Sequence, residues 1–288
     1  MKRIFASLLV VLPLLFSMAL VSSCSSSKIQ TRSKGVVLQD NTVVHYLDAG
    51  QGPVLILIHG LGSSANVWCD DIGLLATDYR VIAVDLPGYG KSDRPKADYS
   101  VEYQAGMIKN FIEALGVDKV TLVGNSFGGW IAALVALDSP DRVSRLVLVD
   151  SAGLRREAAQ TDVPPNPATR EEEKTLLLAL FADKSKVTES LVNEQWDYRK
   201  DIRATVQAAI ESFKNKAPFL DNRLQNIKVP TLIIWGEQDM LVPLEVAERF
   251  TSGIRGSKLI VINNAGHQPQ AEQPKAFTRA VKGFVKSW

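Results

Sequence analysis

The sequence predicts an α/β fold: a mostly parallel sheet flanked by helices, with a helical cap inserted late in the sheet. Three observations lead there. Short β-branched apolar runs recur along the chain, several of them apolar almost throughout, as strands buried on both faces are. Helical patterns separate these runs, the alternation of a parallel sheet. Between about Leu154 and Leu220 the alternation stops, and only helical patterns occur.

Taken in order, residues 1–23 read as an export signal rather than as part of the fold. Lys2-Arg3 precede an apolar stretch from Ile4 to Val21, and small residues close it. Val21-Ser22-Ser23-Cys24 resembles the lipobox of bacterial lipoproteins, which implies lipid attachment at Cys24 and an exported protein anchored to a membrane of the cell envelope. Ser25 implies the outer membrane where the host has two. A short membrane-spanning anchor is the competing reading. The other cysteine, Cys69, is expected to be a small buried residue without a disulfide. Residues 24–34, rich in Ser and Lys, read as a linker.

The fold proper is expected over 35–153 and 221–288. Its strand candidates are Thr42–Leu47, Val54–Ile58, Val81–Val84, Val120–Val123, Leu146–Val149, Thr231–Trp235 and Lys258–Ile262. Ser100 can cap a helix carrying Met107, Ile108, Phe111 and Ile112 at helical spacing and stopping at Gly116. A second helix runs from Phe127 to about Leu137, and a last one follows Pro274. Residues 154–220 form the expected cap. Thr169-Arg170-Glu171-Glu172 is a capping-box signature, and Leu176, Leu177, Leu180, Val192, Trp196, Val206 and Ile210 continue the helical pattern. The plainer reading makes these ordinary layer helices, but such connections are normally far shorter.

Composition narrows the function. Hydrophobic residues make up 46% and charged residues 22% of 288, a globular balance. The net charge of +2 comes from the leader: setting aside Lys2 and Arg3 leaves 31 basic side chains against 31 acidic. A neutral chain has no electrostatic footprint for nucleic acid, and no metal or organic cofactor is expected.

The chemistry centres on Gly124-Asn125-Ser126-Phe127-Gly128-Gly129, which follows a buried-strand pattern and precedes a helical one. That context makes a G-x-S-x-G string a nucleophile elbow, whose tight turn leaves no room for flanking side chains. A serine hydroxyl needs an adjacent base, and the chain has three histidines. His45 reads as a strand residue and His59 as part of a turn. His267, on a loop after the last strand candidate, is the expected base. Asp239, after Thr231–Trp235, is the expected orienting acid, with Asp150 as runner-up; Glu237 and Glu245 read as solvated. His59-Gly60-Leu61-Gly62 should supply half an oxyanion hole, with the amides of Leu61 and Phe127 as donors.

With these residues in place, the chain from about Gly35 onward resembles the α/β-hydrolase superfamily. His59-Gly60 matches its oxyanion turn, Gly124–Gly128 its elbow, Gly236–Pro243 its acid loop, and Ala265-Gly266-His267 with Glu272 and Pro274 its histidine loop. Asp85-Leu86-Pro87-Gly88-Tyr89-Gly90-Lys91-Ser92 resembles the loop after its fourth strand. Haloalkane dehalogenases and epoxide hydrolases of this fold place Asp where this chain has Ser126, so neither is expected. The Gly-Asn-Ser-x-Gly-Gly elbow is shared with hydrolases of carbon–carbon bonds in aromatic ring-cleavage products, but these commonly carry Trp where this chain has Gln268. The resemblance therefore implies an esterase or lipase-like serine hydrolase acting on a small-molecule ester or lipid. The alternatives are a carbon–carbon bond hydrolase and a non-catalytic surface binding lipoprotein.

Overall fold

The computed structural model describes residues 29–155 and 163–287. The expected signal segment and Cys24 lie outside them. Among the described residues, no helix is long and apolar enough to cross a membrane.

Eight strands form one sheet: β1 (Arg32–Val37), β2 (Val43–Ala49), β3 (Val54–Ile58), β4 (Arg80–Val84), β5 (Val120–Asn125), β6 (Val143–Val149), β7 (Thr231–Gly236) and β8 (Lys258–Ile262). Their spatial order is β1-β2-β4-β3-β5-β6-β7-β8. β2 pairs antiparallel with β1 and β4, and every other pairing is parallel. β1 begins inside the stretch read from sequence as a linker. Its residues are all exposed or half-buried at the sheet edge, and it lacks the apolar run that marks the other strands.

Among the described residues there are also eight α-helices: α1 (Cys69–Leu75), α2 (Val101–Ala114), α3 (Phe127–Asp138), α4 (Arg170–Leu180), α5 (Glu189–Lys216), α6 (Leu244–Gly253), α7 (Pro269–Glu272) and α8 (Pro274–Lys286). Local chemistry sets several boundaries. The Ser100 hydroxyl accepts from Tyr103 N at the start of α2, and Gly116, at φ +64°, follows its end. Thr169 and Glu172 close a capping box on α4.

The pleat sorts the apolar strand residues onto two faces. Ile56, Ile58, Ile82, Val84, Leu122 and Leu148 pack under α2 and α3, while Leu55, Leu57, Val81, Val123 and Val147 pack under α1 and α8. With both faces covered, the central strands are buried along most of their length.

Between β6 and β7 the chain leaves the sheet and forms α4 and α5. Two contacts fasten this excursion to the loops at the carboxyl edge of the sheet. The Tyr198 hydroxyl accepts from Gly90 N (2.8 Å) and donates to Ser63 O (2.9 Å). Arg199 packs against Gly62, where a Cβ would lie 2.2 Å from its Nη1. Cys69, at the start of α1, is half-buried and disulfide-bonded. This corrects the expectation of a buried cysteine without a disulfide, which rested on counting and carried no geometry.

Candidate active site

The strand order reverses between β3 and β5, the kind of crevice where open parallel sheets hold their ligands. The register then places the functional loops side by side. Ile58 is level with Gly124, so His59–Gly62 leaves the sheet next to the elbow. Asn125 is level with Val149, Val149 with Ile234, and Gly236 with Ile262. The loops bearing Ser126, Asp150, Asp239 and His267 therefore emerge in spatial sequence along one edge.

Ser126 sits between β5 and α3 at φ +54°, ψ −116°, backbone that L-residues rarely adopt. The turn is possible because its neighbours are glycines. A Cβ on Gly124 would lie 2.2 Å from Gly128 O, and one on Gly128 would lie 2.3 Å from Ile58 O. Ser126 N donates to Val149 O at 2.9 Å, holding the strained residue against β6.

His267 Nδ1 lies 2.7 Å from Asp239 Oδ2, with the two side chains 6% and 0% exposed. Asp239 Oδ1 accepts from the amides of Leu241 (2.8 Å) and Val242 (2.9 Å). Burial alone would raise the Asp239 carboxyl, but His267 and these amides hold it below the usual carboxylate range. Glu237 and Glu245 are exposed. Asp150, the runner-up acid, is fully buried beside the pair. One atom each of Asp150, Asp239 and His267 lie within 4.8 Å of one another.

The remaining histidines have other partners. His45, in β2, has its ring between Ser33 Oγ and Asp85 Oδ2, each 2.7 Å away. His59 Nε2 accepts from Leu86 N (3.1 Å), so its Nδ1 carries the proton and donates to Gly60 O (2.8 Å). Burial lowers its pKa and keeps it neutral. Pinned this way, the turn brings Gly60 against the elbow, where a Cβ would lie 3.3 Å from Ser126 Cβ. Leu61 lines the cavity over Ser126. The Phe127 side chain is buried, and its N–H, first in α3, has no acceptor within the helix.

Ser126, His267 and Leu61 line one cavity of about 910 Å³. Leu176, Leu177, Leu180, Phe181 and Leu191 form an apolar wall on the cap side. A buried ion pair from α4 and α5 also lines the cavity: Arg199 Nε and Nη2 donate to Glu173 at 2.9 and 3.2 Å. Arg199 Nη1 is buried with no hydrogen-bond partner.

Sequence reasoning missed this pair, since both residues read as polar positions on charged helices. It also missed Asn125, whose amide nitrogen donates to Val149 O and His267 O and ties the elbow to the His267 loop. Glu272 appeared only as a point of resemblance. Its carboxylate accepts from Gly266 N (2.6 Å), Ala182 N (2.8 Å) and Asp183 N (3.1 Å), joining the His267 loop to the end of α4.

Residues 53–274 match the model of the alpha/beta hydrolase fold. The chain belongs to that family. Among its relatives, the 2-hydroxy-6-oxo-6-(2'-aminophenyl)hexa-2,4-dienoic acid hydrolase of Metapseudomonas resinovorans is 35% identical over 83% of this chain and 86% of its own length. The 2-hydroxy-6-oxononadienedioate/2-hydroxy-6-oxononatrienedioate hydrolase of Paraburkholderia phymatum is 32% identical, covering 84% and 90%. Among solved alpha/beta hydrolases, a membrane phospholipase A described as a bacterial virulence factor superposes with TM-score 0.81 at 30% identity, covering 90% of this chain and 86% of that one.

The relatives named as dienoate hydrolases overturn the esterase expectation. The physical reason for the error is that an elbow serine, a base and an oxyanion turn serve acyl transfer from oxygen or from carbon equally well. The expectation leaned on one residue, Gln268, which gives no direct information about the bond being broken.

Proposed function

We propose that this alpha/beta hydrolase cleaves the carbon–carbon bond of a 2-hydroxy-6-oxo-dienoate, a ring-cleavage product, with Ser126 as nucleophile, His267 as base and Asp239 as orienting acid. The single observation that carries the reading beyond a general serine hydrolase is Arg199 Nη1, an uncommitted guanidinium N–H buried in the cavity wall beside the oxyanion turn. A dienoate presents a carboxylate at one end and a ketone at the other, so the same cavity offers it a cation and a nucleophile. The named activities of the relatives support the substrate class.

The chemistry follows from the substrate. In the keto tautomer, C5 is saturated and lies between the C6 carbonyl and an enone that runs to C2. The Ser126 oxygen adds to C6 as His267 takes its proton, and the amides of Leu61 and Phe127 receive the oxyanion. The C5–C6 electron pair then leaves towards C5 and delocalises onto the C2 oxygen. His267 returns the proton there, releasing a dienol. Water, deprotonated by His267, frees the acid from Ser126.

The cavity also favours one kind of C6 substituent. Among the described residues, four carboxylates line it (Asp70, Asp85, Glu173, Glu194) against two cations, Lys91 and Arg199. Arg199 can meet one substrate carboxylate, and the leucine-rich wall suits an aromatic or alkyl group better than a second acid.

The test is the decay of the dienolate absorbance of 2-hydroxy-6-oxo-6-phenylhexa-2,4-dienoate. We expect turnover by the wild type and a loss of about 10⁴-fold or more in Ser126→Ala. A wild type that leaves this compound intact would remove the proposal.

A further inference from the structure

We propose that Asp150 is a positioning residue that stays protonated and donates a hydrogen bond to Asp239, fixing the carboxylate that orients His267. The inference rests on the assignment of Ser126, His267 and Asp239 given above.

Asp150 follows β6 directly and occupies φ +43°, a costly conformation for a residue with a side chain. Its backbone N–H donates to Ile234 O at 3.0 Å, and its Oδ1 accepts from Gly236 N at 2.8 Å. These bonds turn the carboxyl inward, where it is fully buried. Its Oδ2 has no hydrogen-bond partner, and a carboxylate oxygen of Asp239 lies within 4.8 Å of one of its own.

Two carboxylates side by side in a dry site cannot both stay ionised, and one keeps a proton. The donors decide which. Asp239 receives the N–H groups of Leu241 and Val242 and the Nδ1–H of His267, whereas Asp150 receives only that of Gly236. The proton therefore belongs on Asp150, whose Oδ2 is the oxygen left without a partner, and it makes that oxygen a donor available to Asp239. Burial and the charge of Asp239 push Asp150 well above the usual carboxyl range. The charged and titratable groups facing it are Asp239 after β7, with His267 and Glu272 after β8.

Asp150 is thus not a competing acid. While protonated it steadies Asp239. Once it ionises as pH rises, the hydrogen bond becomes a repulsion and the support of His267 weakens.

The test compares wild type, Asp150→Asn and Asp150→Ala across pH. The rate at which a fluorophosphonate modifies Ser126 is followed beside dienoate turnover, since labelling needs the His267 base but no dienoate. Asp150→Ala should slow labelling by about tenfold or more at neutral pH, the scale of one lost hydrogen bond to a charged group. Asp150→Asn, whose amide can donate to Asp239 and accept from Gly236, should restore most of that rate and lack the decline that the wild type shows as pH rises and Asp150 ionises. Equal impairment in both variants would overturn the inference, as would the same decline persisting in Asp150→Asn. If Asp150→Ala does not fold, the Asp150→Asn profile decides alone. A wild type that is labelled but inert to dienoates removes the substrate assignment, and the labelling profiles still decide the role of Asp150. A Ser126 that resists labelling at every pH overturns both.

Discussion

At the scale of single residues, the elbow is a steric problem solved by absent side chains. Gly124→Ala would place a methyl 2.2 Å from Gly128 O, contact that backbone cannot relieve without moving Ser126. We expect it to lower thermal stability and reduce Ser126 labelling at least tenfold, as a small misplacement of a nucleophile does. Labelling at the wild-type rate would show that the turn tolerates the shift. A second residue carries a pH signature. Asp71, on α1, is fully buried with neither carboxylate oxygen hydrogen-bonded, and burial followed by the charge of Asp70 raises its pKa well above normal. The folded chain therefore keeps a proton that the unfolded chain releases from about pH 4 upward. The contribution of Asp71 to folded stability therefore falls as pH rises through that window, by about 1.4 kcal/mol per unit while it lasts. Asp71→Asn should melt close to wild type at pH 4 and increasingly above it towards pH 8. A difference independent of pH would refute the argument. Ser126, His267 and Asp239 could be singled out because each follows a strand pattern on a loop, and the structure places those loops side by side. Arg199 was not, because its role depends on which face of α5 meets Gly62, and no local signal in a charged helix shows that.

At the scale of elements, Glu272 joins three segments through one carboxylate: the His267 loop, α7 and the end of α4. His267 N also donates to Leu180 O, so the base hangs partly from the cap. Glu272→Ala would leave three amides without their acceptor, at about 1–3 kcal/mol for each that stays buried. We expect a lower melting temperature together with a fall in kcat, since the base loses its mounting. Loss of stability with kcat unchanged would mean that the remaining bonds suffice. The strands from β2 onward could be read from their apolar runs, and Ser100 and Thr169 announced α2 and α4. β1 could not be read, because an edge strand with one face in solvent shows neither a continuous apolar run nor a strict alternation.

At the scale of the molecule, the cavity lies between the loops at the sheet edge and the helices α4 and α5, which on the proposed function makes these segments the ones that select the substrate. The wall of α4 is apolar, and acids outnumber cations around the cavity. Arg199→Met, which keeps much of the length and removes the charge, should raise KM for a phenyl-substituted dienoate about tenfold or more, with a smaller effect on kcat. An unchanged KM would place the substrate carboxylate elsewhere. A dienedioate, with a second carboxylate directed at leucines, should show a lower kcat/KM than the phenyl compound. None of this was visible in sequence, because the lining comes from segments more than a hundred residues apart.

The most direct measurement is product analysis after wild-type enzyme is mixed with 2-hydroxy-6-oxo-6-phenylhexa-2,4-dienoate. Cleavage of the C5–C6 bond predicts benzoate and 2-hydroxypenta-2,4-dienoate in equal amounts, with neither formed by Ser126→Ala. An unchanged dienoate under conditions where Ser126 reacts with a fluorophosphonate would contradict the account.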